Sequence, residues 1–215
     1  MSAPYQTLKR ANVGAVILGA GFGRRFGSDK RLAALGNTTV AAQTVKHFSE
    51  VFAHLRVVLK TEDTVLGQVL GQQAEIVYTD QSYLGMGHSL AAGFTDLNWQ
   101  WAFVGLLDMP FLQPASLEQI AVRALSTKYR IIRPVFAQNP SSAAIKTSVT
   151  TMTKSPQGHP IGIHSSLFAQ VKKSGGDQGA KWLLKANAND IDSIPVSDAG
   201  IFMDIDQPKD LLQQP

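Results

Sequence analysis

The chain has 215 residues, enough for one α/β domain with a large core and too few for two of ordinary size. With 44% hydrophobic and 17% charged residues it is not a disordered chain, and its lack of cysteine excludes disulfides and thiolate metal sites and fits a cytoplasmic protein. The net charge of +4, from 20 Lys and Arg against 16 Asp and Glu, is small and scattered, which argues against a nucleic-acid partner.

Residues 1–12 are polar and lack the apolar segment of a signal peptide. No apolar run approaches the roughly 20 residues that cross a bilayer, so no membrane partner is expected. An apolar run at 13–18 predicts a buried strand, and 38–52 carries apolar residues at helical spacing. Strands at 55–59 and 74–78 flank a short helix at 64–70. A helix at 89–97 then leads to a strongly apolar strand at 101–107. A helix at 114–125, with Pro114 in its first turn, precedes a strand at 130–136. From 137 to 157 the chain turns polar, over a length unusual for a plain connection. Beyond it, 160–164 predicts a strand, 165–173 and 180–186 helices, and 191–196 and 200–205 short extended pieces.

This alternation predicts an α/β fold with a mostly parallel central sheet and helices on both faces. In such sheets ligands bind beyond the carboxyl ends of the strands, where strand order reverses. Three unusual stretches fall at such ends: 19–30, 80–89 and 108–110. That placement points to one shared site.

The first stretch runs Leu18-Gly19-Ala20-Gly21-Phe22-Gly23-Arg24-Arg25-Phe26-Gly27-Ser28-Asp29-Lys30-Arg31. It fails the dinucleotide pattern G-x-G-x-x-G, because Arg24 or Phe26 falls where the third glycine belongs. It also fails the P-loop pattern, since Ser28 and Asp29 separate Gly27 from Lys30. What remains is a turn that offers backbone N–H groups, with Arg25 and Lys30 spaced to reach over it. A triphosphate being split develops charge on its leaving pyrophosphate, and cations that meet this charge lower the barrier. The cation load therefore favours transfer over redox chemistry.

Such chemistry calls for a divalent metal, and a metal calls for carboxylates. Asp108, directly after the strand at 101–107 and stopped by Pro110, is the first candidate; its other reading is a turn or helix-capping aspartate. Asp204 and Asp206 could supply a second ligand or cap a helix at 208–212.

Beyond the first loop, Gly85-Met86-Gly87-His88-Ser89-Leu90, Leu107-Asp108-Met109-Pro110-Phe111, Gly158-His159-Pro160, Gly176-Asp177-Gln178-Gly179-Ala180 and Asp204-Ile205-Asp206-Gln207-Pro208-Lys209-Asp210 occur in order. Together with 18–30, these segments resemble the MobA-like NTP transferases, and within them the molybdenum cofactor cytidylyltransferases. The opening motif of that family reads L-A-A-G-x-G-x-R-F-G-x-D-K, and here Gly19 replaces an alanine. The resemblance covers about residues 12–212. It implies a single domain with a Rossmann-like nucleotidyltransferase fold, whose nucleotide-binding part would be about 12–136 and acceptor-binding part about 158–212.

The same resemblance implies CMP transfer from CTP to the phosphate of molybdopterin or its molybdenum-loaded form, with Mg²⁺, or Mn²⁺ in its place. Leu18, Gly19 and Ala20 would bind the nucleotide, and Gly21 and Gly23 would wrap its triphosphate, with Arg25 and Lys30 on the phosphates. Arg25, Lys30 and Asp108 would be the catalytic groups, and Asp108 and Asp206 the metal ligands. Gly85, Gly87 and Ser89 would contact the nucleoside, while Gly158, His159, Pro160 and Asp177 would face the acceptor. Guanylyl transfer, a sugar or alcohol phosphate acceptor, and non-catalytic delivery of cofactor to a molybdoenzyme or its chaperone are the alternatives. Two departures stand out: Pro134 and Gly158 are about two dozen residues apart where the family goes almost directly from one to the other, and leucine precedes Asp108 where glycine is common. Of the remaining groups, Arg24 and Arg31 read as solvated neighbours, His47 and His54 as ordinary helix and loop residues, and Trp99, Trp101 and Trp182 as packing residues.

Overall fold

The computed structural model describes residues 3–21, 26–137 and 156–212. Its first strand, β1 (Val13–Leu18), is buried along its whole length, as a strand covered on both faces must be. Alternate side chains serve opposite layers: Val13, Ala15 and Ile17 enter one apolar cluster, Val16 and Leu18 the other. A short hairpin of β2 (Ala34–Leu35) and β3 (Thr38–Thr39) precedes helix α2 (Val40–Val51), whose first turn is capped by the Thr39 hydroxyl accepting from the Ala42 N–H. Next come β4 (His54–Lys60), α3 (Thr64–Leu70), β5 (Glu75–Thr79), α4 (Met86–Gly93) and β6 (Trp101–Leu106). Helix α5 (Pro114–Val122) has proline at its start, where the missing N–H costs nothing. It is followed by β7 (Ile131–Phe136), β8 (Ile161–His164) and β9 (Ile191–Val196).

Seven of these strands form one sheet in the order β5-β4-β1-β6-β8-β7-β9. β4, β1, β6 and β5 pair in parallel, as do β7 and β9, whereas β8 runs antiparallel to both β6 and β7. The expected α/β architecture is therefore present, with one reversed strand inside it. Helices α2 and α5 and an N-terminal helix α1 (Ala3–Arg10) cover one face, with Phe48, Leu117 and Leu8 fully buried against it. On the other face Leu90 of α4, Phe168 and Val171 of the helix Phe168–Val171 and Leu183 of the helix Lys181–Ala186 do the same.

Three local expectations differ from the structure. α1 lies in a stretch read only as polar: among its residues whose burial is described, 6–10, Leu8 alone is buried, so periodicity gives little signal. α4 begins at Met86 rather than 89 and ends at Gly93 rather than 97. Residues Ala199–Phe202 form a 3-10 turn where an extended piece was expected, because the Asp198 carboxylate accepts from the Gly200 N–H and folds the chain back. Among the described residues, no helix is long and apolar enough to cross a membrane.

Candidate active site

β1 lies between β4 and β6, and the chain passes from one side of β1 to the other after β5. The strand order therefore reverses between β1 and β6, which opens a crevice beyond their carboxyl ends. A cavity of about 710 Å³ lies there, lined by Leu18 at the end of β1 and Gly19, Ala20 and Gly21 after it, by Lys60 at the end of β4, and by Leu107 and Asp108 after β6. Ser82, Tyr83, Gly85, Met86 and Ser89 close one side, and Asp177, Asp204 and Asp206 another. Segments read as separate motifs thus surround one space.

Lys30 opens a 3-10 turn (Lys30–Leu32) capped by the Asp29 carboxylate, and its side chain crosses the crevice. Its Nζ lies 2.6 Å from Asp108 Oδ2 and 3.1 Å from Asp206 Oδ1. Burial would lower the Lys30 pKa, but the adjoining Asp108 and Asp206 carboxylates outweigh it and hold the ammonium above its ordinary value. The other oxygen of Asp108, Oδ1, is buried without a hydrogen-bond partner. Asp204 stands beside them; desolvation of its carboxyl, then the Asp108 and Asp206 charges, push its pKa up. The Asp206 carboxylate thus reaches Lys30, while Asp210 accepts the Asp206 and Gln207 backbone N–H groups.

Gly85 and Gly87 owe their identity to a close approach of two loops. Gly85 has φ of +116°, and a Cβ there would stand 2.5 Å from Asp177 Oδ1. At Gly87 a Cβ would stand 2.5 Å from the Gly175 carbonyl oxygen, and the Gly87 N–H donates to Gly176 O at 2.8 Å. These glycines dock the start of α4 onto the 175–179 loop and so carry Asp177 to the cavity. Gly85 and the buried Ser89 line the space, whereas Gly87 is not among its lining residues.

Of the segment expected at the acceptor, Gly158 is packed against the Ile201 carbonyl and its N–H donates to Pro134 O. The His159 Nδ1 donates to the Val104 carbonyl at 3.2 Å, and Pro160 follows a cis peptide bond. Burial pushes the His159 pKa below its ordinary value, so the ring is neutral at neutral pH. This segment supports β6 from its neighbour β8, and only Asp177 of the four expected acceptor residues lines the cavity. Gly23 and Arg25, with Arg24, lie outside the described residues.

Arg31 overturns its expected solvated position. Its side chain is 7% exposed, and the guanidinium is clasped by Asp29 and Asp63 and donates to the Gly19 carbonyl oxygen. Lys60, Tyr83 and Met86 also line the cavity without having been singled out. A lysine or apolar residue at a loop end carries no distinguishing pattern.

A turn beyond β1 set against an aspartate across a switch point is an arrangement typical of nucleotide-handling α/β proteins. The chain belongs to the family of the MobA-like NTP transferase domain, whose model matches residues 15–191. A probable molybdenum cofactor guanylyltransferase of Natranaerobius thermophilus is 25% identical over 128 residues, which are 59% of this chain. The match spans 62% of the length of that curated relative. Among solved structures, Rv0371c of Mycobacterium tuberculosis superposes with a TM-score of 0.73 at 20% identity, over 93% of this chain and 95% of that one. The same protein complexed with manganese gives 0.68 at 20% identity over the same shares. A nucleotidyl transferase of Methanothermobacter gives 0.73 at 19% identity, over 93% and 94%. These likenesses establish the Rossmann-like nucleotidyltransferase fold.

Proposed function

We propose that this protein transfers a nucleoside monophosphate from an NTP, CTP in the first instance, to the phosphate of a molybdopterin-type acceptor and releases pyrophosphate. The observation that carries this reading is the Lys30 ammonium held between Asp108 and Asp206 beside a glycine turn, all in one crevice. Family membership supports the reaction class, and the name of the curated relative supports the molybdenum cofactor as acceptor.

The residues fit a divalent metal, Mg²⁺ or Mn²⁺. Among the described residues no group of three or more His, Asp or Glu could hold a metal alone. Mg²⁺, however, is commonly bound by one or two carboxylates together with substrate phosphates and water. Asp108, with its unpartnered buried Oδ1, and Asp206 would be those carboxylates. The described lining also favours a cation with the nucleotide, since Asp108, Asp177, Asp204 and Asp206 would otherwise repel a triphosphate. When bound, the metal neutralises phosphate charge and holds the oxygens in place.

The chain's own groups then do three things. The Ala20 and Gly21 backbone lies where phosphates would settle. Lys30 exchanges carboxylate contacts for the phosphate oxygens, on which charge grows as the α–β bond breaks. Asp177, on the loop carried by Gly85 and Gly87, faces the incoming acceptor. The acceptor phosphate is anionic near neutral pH, so positioning and neutralisation suffice without a dedicated base.

GTP is the second donor to weigh, favoured by the name of the curated relative. The test incubates the protein with CTP, GTP, ATP or UTP, Mg²⁺ or Mn²⁺ and molybdopterin, and follows pyrophosphate and the mass of the product. The expected result is a cytidylylated product, and one that Asp108→Asn no longer makes although it binds NTP. Preference for GTP would replace the donor assignment. No pyrophosphate with any NTP would overturn the proposal.

A further inference from the structure

Lys30 and Arg31 are adjacent cations with opposite fates, and the buried one explains how the glycine turn is aimed. Arg31 Nε donates to Asp29 Oδ1 at 2.8 Å, and one terminal nitrogen donates to Asp29 Oδ2 at 2.6 Å and Asp63 Oδ1 at 2.7 Å. The other terminal nitrogen donates to Asp63 Oδ2 at 2.5 Å and to the Gly19 carbonyl oxygen at 2.7 Å. A guanidinium has five N–H donors, and these five bonds use them all. The two carboxylates also outweigh its charge, so Arg31 is no anion clamp although it borders the cavity.

Its bond to Gly19 has a directional effect. A peptide unit is planar and trans, so the Gly19 C=O and the Ala20 N–H point in opposite directions. Whatever holds the carbonyl fixes the N–H. A carbonyl oxygen turned into the crevice would repel phosphate, whereas an N–H would donate to it. Two further bonds anchor these loops: the Gly19 N–H donates to the Val58 carbonyl at 2.8 Å, and the Lys60 N–H donates to the Asp63 carboxylate, Oδ2, at 3.1 Å. One guanidinium therefore joins the loop after β1, the turn carrying Lys30 and the loop after β4.

We propose that Arg31, held by Asp29 and Asp63, is a positioning residue that sets the polarity of the Gly19–Ala20 peptide, presenting the Ala20 N–H to the phosphates of a bound nucleotide. This rests on the nucleotide-binding reading given above.

The test measures the affinity of wild-type protein and of Arg31→Lys, Arg31→Ala and Asp63→Asn for CTP and GTP with Mg²⁺, and for the corresponding nucleosides. The melting temperature and the Ala20 amide resonance are followed alongside. In the wild type the Ala20 amide should shift on NTP addition and stay put with nucleoside. Folded variants should lose at least tenfold in NTP affinity and keep nucleoside affinity, and millimolar guanidinium should restore NTP binding to Arg31→Ala. Variants that bind NTP like the wild type, or equal losses for NTP and nucleoside, would overturn the inference. The wild-type measurement decides even where a variant fails to fold, since a stationary Ala20 resonance in NTP-bound protein overturns it too. Wild-type protein that binds no NTP would instead overturn the function on which the inference rests.

Discussion

Lys30 holds two carboxylates that would otherwise face each other across the crevice, and the predictions at residue scale follow from that position. Lys30→Ala should lower kcat/KM by about 10²-fold or more, the usual cost of removing a preorganised donor to developing charge, as read from pyrophosphate release. His159 provides a pH-dependent test. Its folded pKa lies below the unfolded value of 6.5 because the ring is buried, so the unfolded chain binds the proton first. Stability from this group is complete above about pH 6.5 and is lost as pH falls toward the folded pKa. Melting temperature between pH 8 and 5 should fall less steeply in His159→Gln than in the wild type; parallel slopes would remove His159 as the cause. That Lys30 and Asp108 share one crevice was legible in sequence, because each belongs to a motif that follows a strand. Arg31 was misread for a physical reason: the aspartate that buries it, Asp63, is 32 positions away, and no local pattern links the two.

The elements around the site hold it through close approaches, and the junction of α4 with the 175–179 loop is one of them. Gly87→Ala would force a methyl group to 2.5 Å from the Gly175 carbonyl oxygen, with backbone on both sides to resist. Such overpacking typically costs about 1–3 kcal/mol, so the melting temperature should fall measurably. Activity should fall further than stability explains, because Asp177 moves with the loop; wild-type kcat/KM in a destabilised variant would deny that link. In the sequence the same glycines read as nucleoside contacts. The structure adds a second demand on them, the facing backbone of the 175–179 loop, which a glycine next to a helix start does not reveal in sequence. The helix and strand bodies were mostly legible, since apolar periods of 3.6 and 2 are set by burial on the two faces. Their ends were less so: α4 starts where Gly85 adopts a positive φ, which a hydrophobicity pattern does not record.

At the scale of the whole molecule, the sheet divides two apolar layers, and Phe103 on β6 is a central contact in one of them. Its ring is fully buried, with its centroid 5.5 Å from that of Phe52 and 6.4 Å from that of Trp101. Phe103→Ala should cost about 3–5 kcal/mol in denaturant unfolding. A cost below 1 kcal/mol would mean that the layer collapses around the gap. The reversal of β8 was not legible, because a buried strand has the same apolar pattern in either direction. That reversal has a consequence for change in this fold. β7 ends, and β8 begins, at the ligand edge of the sheet, with Val135 bridged to Gln157 and the Phe136 N–H donating to Pro156 O at 2.9 Å. The chain thus leaves and re-enters the sheet edge at one paired point. Doubling a flexible loop costs only about 0.6 kcal/mol in closure entropy. On closure entropy alone, replacing 138–155 by a Gly/Ser turn should shift denaturant unfolding by about 1 kcal/mol or less; a larger shift would mean that these residues contribute contacts of their own. The paired strand ends thus mark, at the crevice edge of the sheet, the point where a change in chain length would bear least on the strand pairing.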